Sequence, residues 1–122
     1  MPAADVRNLT AKPPNYNLAA TIASGATTSD EVDLGGDQLC GLFVPAAFTG
    51  TAVTITAAPA SGGTFVAVID PATGLAYTLT VAAGKYAPIS NLAFTAGLRF
   101  VKLVSGSAET PARVVILATR PV

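Results

Sequence analysis

The chain has 122 residues, 51% of them hydrophobic and 11% charged, with seven Lys plus Arg balancing seven Asp plus Glu. That length and apolar content suit one folded domain and exclude intrinsic disorder, which needs low hydrophobicity with high net charge, while zero net charge removes the basic footprint of a nucleic-acid binder. With no His, one Cys and one Met, a Ser-His-Asp triad, a Cys-His pair and any His-ligated metal site are excluded, so no catalytic residue, metal or cofactor is assigned.

Residues 1–17 hold Pro2, Pro13 and Pro14 with Asn8, Asn15 and Asn17, and no apolar period of 2 or 3.6 runs through them. They read as an extended N-terminal arm outside the core. Proline restricts the backbone and lowers the entropy lost on docking, so Val6, Leu9, Pro13, Pro14 and Tyr16 are candidate anchors for a groove on a neighbouring subunit. The first seven residues carry neither the basic nor the apolar stretch of a secretion signal, and the expectation is residence in a cytoplasm. Nowhere do about 18 apolar residues run together, so no membrane partner is expected.

From residue 18 onward, short runs of Val, Ile, Thr, Phe and Tyr alternate with Gly and Pro punctuation, an all-β pattern. Weak strands fit 18–22 and 31–34. The run 39–44 is apolar on both faces, and Cys40 within it reads as a small buried hydrophobe. In 52–57, Val53 and Ile55 alternate with Thr54 and Thr56, as in a strand with one buried face. Residues 65–69 and 77–81 flank Asp70-Pro71-Ala72-Thr73-Gly74, where Asp caps, Pro presets φ and Gly accepts a positive φ, so they predict a hairpin. A weak strand fits 85–89, and 91–94 has room for one helical turn. Residues 98–104 and 114–118 are apolar on both faces, which suits core or interface strands and makes Phe100, Val101, Leu103, Val115 and Leu117 candidate subunit contacts. About eight short antiparallel strands over 18–122 predict a β-sandwich, jelly-roll-like in course.

The acidic run Asp30-Glu31-Val32-Asp33-Leu34-Gly35-Gly36-Asp37 holds four of the seven carboxylates, but no frame in it supplies a calcium-loop ligand set, and a solvated strand edge explains it. Gly35-Gly36 and Ser61-Gly62-Gly63 lack the phosphate-loop pattern and read as turns. There is no Trp, and of the tyrosines Tyr77 should face inward, Tyr16 sits in the arm and Tyr86 near a turn, so no sugar-stacking surface is expected. A weakly charged exterior padded with Ala and Thr favours being covered, which predicts association into a dimer or trimer or a larger assembly.

The stretch 32–50, VDLGGDQLCGLFVPAAFTG, together with Ser61-Gly62-Gly63-Thr64-Phe65 and the run 96–107, AGLRFVKLVSGS, resembles small β-sandwich virion proteins of tailed bacteriophages. The resemblance spans residues 18–120 and implies a capsid cement or decoration protein on the outside of the head, made in the host cytoplasm, with the major capsid protein as partner. The alternatives it leaves are a head-fibre or adhesion module binding a host surface glycan, and a neck or tail component. The arm is not part of the shared pattern.

Overall fold

Strand pairing decides the architecture. The computed structural model describes residues 17–121, so the arm anchors Val6, Leu9, Pro13, Pro14 and Tyr16 lie outside the described residues. Asn17, assigned to the arm, opens the first strand. The strands are β1 (Asn17–Ile22), β2 (Val32–Asp33), β3 (Asp37–Phe43), β4 (Ala52–Ala58), β5 (Val66–Ala67), β6 (Ile69–Asp70), β7 (Leu75–Ala76), β8 (Thr78–Thr80), β9 (Tyr86–Pro88), β10 (Phe100–Ser105) and β11 (Arg113–Pro121).

The protein is all-β, and its pairs are antiparallel. One sheet, here sheet A, runs β1-β11-β3-β9, and sheet B runs β2-β10-β4-β5 with β8 also on β4. A 3-10 turn, Leu92–Phe94, is capped by Asn91, whose side-chain oxygen accepts from the Ala93 amide. This is the one helical turn predicted between Pro88 and Gly97.

Period-2 alternation explains the core. Ala20, Ile22, Leu39, Leu42, Val115 and Leu117 from sheet A meet Val53, Ile55, Leu79, Val101 and Leu103 from sheet B in one buried apolar cluster. Val101, Leu103, Val115 and Leu117 are 0–1% exposed, so the expectation that they make subunit contacts is corrected: they are core. Phe100 is also buried, beneath the Arg99 guanidinium 4.9 Å from its ring centroid. A run apolar on both faces carries no phase, and only the pairing shows which half turns inward.

Two further expectations change. The register passes from Ala118↔Gly41 to Thr119↔Leu39, leaving Cys40 as the extra residue of a β-bulge. The bulge shifts the alternation, so Leu39 and Leu42 are both buried while Cys40 is half-buried rather than part of the core. The strand count also rises from about eight because the predicted hairpin breaks in two. β5 and β8 each pair with β4, whereas β6 and β7 leave the sheet as a two-stranded excursion. Its base is closed by the Val68 carbonyl, which accepts from the Tyr77 amide at 2.8 Å. Its tip is the predicted turn: Asp70 Oδ1 accepts from the Ala72 amide at 2.9 Å, and Gly74 takes φ 74°.

Candidate interaction surface

The side chains of sheet A that alternate with the core residues form its outer face. Register places them in cross-strand rows. Ala19 lies opposite Ile116, Ile116 opposite Phe43 and Phe43 opposite Tyr86, so one row crosses all the strands of the sheet. The next row holds Ala118, Gly41 and Pro88, and Thr21 pairs with Val114 on the other side. These rows carry no charged side chain; the next outward residue of β11 is the exposed Arg120, opposite Gln38. Phe43 and Val114, each 47% exposed on inner strands, and Tyr86, 43% exposed on the edge strand β9, make this an exposed apolar face.

The Phe43 and Tyr86 rings are 4.7 Å apart between centroids and tilted by 47°. Tyr86 lies flat across Gly41: a Cβ there would overlap the phenol and come 2.8 Å from the Ala87 carbonyl oxygen. Gly41 is therefore needed for close approach of the ring and not for an unusual φ. Partial burial, with the nearby Cys40 thiol, pushes the Tyr86 phenol above its ordinary pKa, so it is neutral at pH 7. The sequence reading placed Tyr86 near a turn and missed this aromatic pair. The usable signal was the small residue Gly41 inside an otherwise bulky strand.

A second apolar surface runs from β5 onto the β6–β7 excursion, with Val66 on β5 and Ile69 and Leu75 on the excursion each more than half exposed. The outer face of sheet B differs. There Lys102 Nζ sits 4.6 Å from the Phe65 ring centroid, and the Arg99 guanidinium covers Phe100.

The acidic run does not converge. Asp30 Oδ1 accepts from the Thr21 amide at 2.9 Å. Glu31 accepts from Ser61 Oγ at 2.6 Å and the Gly62 amide at 2.7 Å, contacts that hold its carboxyl below the usual range. Asp33 accepts from Arg99 Nε at 3.0 Å and from the Gly35 amide at 2.8 Å. Among the described residues, no group of three or more His, Cys, Asp or Glu side chains is placed to hold a metal ion. Two clefts, about 180 and 430 Å³, share Gly97, Leu98 and Arg99 and are otherwise lined mainly by glycine, alanine and proline. Neither brings a nucleophile to a base. No described helix is long and apolar enough to cross a membrane.

Among the described residues, the one fully buried carboxylate, Glu109, has a structural setting. It accepts from the Thr49 amide at 3.0 Å, Thr49 Oγ1 at 2.8 Å, the Gly50 amide at 3.0 Å, Ser105 Oγ at 3.4 Å and Arg113 Nε at 3.3 Å. Its own backbone pairs with Gly25 and Ala26, so three loops are tied at one residue. Burial pushes the carboxyl upward, but the donors from Thr49, Gly50 and Arg113 outweigh it and hold the pKa below the usual range. The sequence carried no signal for this, because a lone Glu in a Ser- and Pro-containing loop has no periodicity.

No protein-family model, curated protein or solved structure matches the chain.

Proposed function

We propose that the chain is a non-enzymatic structural subunit, a capsid cement protein that binds the outside of an assembled phage head and bridges major capsid protein subunits. The observation that carries this reading is the pair of separate exposed apolar surfaces, the outer face of sheet A around Phe43, Tyr86 and Val114 and the strip of Val66, Ile69 and Leu75, on a chain whose described acidic side chains form no metal-holding cluster. A subunit that holds neighbours together needs more than one such surface, whereas an enzyme needs a cleft in which a few reactive polar groups converge. We read the two sheets as a sandwich with jelly-roll course. A jelly roll is a long hairpin of eight strands rolled up, which pairs first with eighth, second with seventh, third with sixth and fourth with fifth. Here β1 pairs with β11, β2 with β10, β3 with β9, and β4 with the interrupted strand β5/β8. Such rolls serve in viral capsid and lectin domains, which is support by analogy of fold.

The mechanism is linkage. A protein that binds only the assembled lattice stabilises it by about 2.7 kcal/mol per site when free protein is about 100-fold above Kd. The exposed Phe43–Tyr86 pair favours a second reading, a head-fibre or adhesion module that stacks on a glycan ring, but the described neighbours in its rows are aliphatic and offer few partners for sugar hydroxyls. Saturable binding to particles stripped of this protein, with a rise in shell melting temperature, supports the cement role. Hits on a glycan array without particle binding replace it with the adhesion role.

A further inference from the structure

We infer that the outer face of sheet A is the contact between two copies of this chain, related by a two-fold axis parallel to its strands. The inference goes beyond the assembly reading and stands whether or not the assembly is a virion. It starts from shape. Along the central row the side chains grow from one edge of the sheet to the other: Ala19, Ile116, Phe43, Tyr86. Neighbouring strands lie about 4.8 Å apart, so the small and large ends of the row are separated by about 14 Å. A half-turn about an axis along the strands, between two stacked faces, exchanges left and right. The Tyr86 edge of one copy then lies over the Ala19 edge of the other, and Phe43 lies over Ile116, each contact occurring twice. The alternative two-fold, across the strands, sets Tyr86 over Tyr86 and leaves a gap above both Ala19 edges, which close packing penalises.

Charge and twist point to the same occupant. A symmetric contact brings any charge near its own copy, so it is cheapest where the middle of the face is uncharged; the rows from Val114 to Ala118 carry no charge and Arg120, exposed near the end of β11, falls at the rim, whereas sheet B displays Lys102 and Arg99. Stacked sheets align within about 30° at about 10 Å separation when their twists match, and a second copy matches by identity. Four strands by about six residues project about 400 Å², which puts the contact at the weak end of specific interfaces, where about 800 Å² of accessible surface is buried per partner. The expected dimer is therefore micromolar in affinity.

Sedimentation of the full chain over about 1–300 μM tests this. The expected result is a reversible equilibrium between the 12.2 kDa chain and twice that mass. Phe43→Asp should weaken it at least tenfold with an unchanged circular-dichroism spectrum. In a Cys40→Ala background, Ala19→Cys with Tyr86→Cys should give a covalent dimer with a short bis-maleimide about 8 Å long, which spans the gap between faces about 10 Å apart but not the about 14 Å between the two positions within one chain. If Phe43→Asp does not fold, this cross-link decides. A monomer at every concentration overturns the inference, as does a trimer, because two stacked faces close after two copies. Undiminished association of folded Phe43→Asp also overturns it. So does a monomer that dimerises once residues 1–16 are removed, which makes the chain's own N-terminal segment the occupant of the face.

Discussion

Replacing Glu109 tests whether one carboxylate holds the loop end of the fold together. In Glu109→Ala, the buried Gly50 amide, the Thr49 amide and Arg113 lose their acceptor. Removing one partner of a buried charged pair costs about 3–5 kcal/mol. The Arg113 side chain is 13% exposed and recovers some hydration, which brings the expected loss to about 3–4 kcal/mol. For a chain of this length that lowers Tm by about 10–15 °C. Glu109→Gln keeps the shape and one acceptor oxygen but turns an amide NH2 towards backbone donors, so about 2 kcal/mol should be lost. The carboxyl is depressed in the folded state against about 4.3 in the unfolded chain, so its contribution is complete above the unfolded value and disappears as pH falls through the folded one. Urea unfolding at pH 7, repeated down to pH 3, reads both effects, and Glu109→Gln should show a flatter acid limb than the parent. If both variants stay within about 1 kcal/mol of the parent, or if the acid limbs coincide, Glu109 is not the clamp described.

Leu103→Ala, at a fully buried position of the cluster, should lose about 2–5 kcal/mol by denaturant unfolding, far more than Val66→Ala at an exposed position of β5. Gly41→Ala should lose about 1–3 kcal/mol, and because the Ala87 carbonyl cannot move aside, Tyr86 must swing away, a change visible in its ring NMR signals. Glu31→Ala should free the turn around Ser61 and Gly62 and speed its proteolytic cleavage while the global melt stays in place. Deleting residues 1–16, which spares the Asn17↔Ala118 pairing, should leave the circular-dichroism spectrum and Tm little changed but weaken attachment to stripped particles; loss of folding would place that segment in the core.

What the sequence made legible follows from phase. Val53 and Ile55 alternate with threonines, so the inward face of β4 is readable in the sequence, and the Asp70-to-Gly74 turn declares itself through residues that each do one conformational job. Runs apolar at every position give no phase, and there the reading of Val101, Leu103, Val115 and Leu117 as contact residues was wrong. The bulge at Cys40 was illegible because it depends on what lies opposite, in β11. The same holds for the row from Ala19 to Tyr86, whose members are spread over nearly the whole chain and meet only through three strand pairings. Glu109 escaped because its partners at Thr49 and Gly50 are about sixty residues away.

The closed base of the β6–β7 excursion separates chain length from fold. The Val68 carbonyl and Tyr77 amide join at 2.8 Å while β5 and β8 stay stitched to β4, so beyond that gate the polypeptide leaves and returns without the core registering how far it went. Each doubling of a loop adds only about 0.6 kcal/mol of closure entropy. Residues 70–75 are thus a natural grafting point, where a peptide can be displayed outward, and where related chains can diverge in length and surface chemistry while every buried side chain keeps its neighbours.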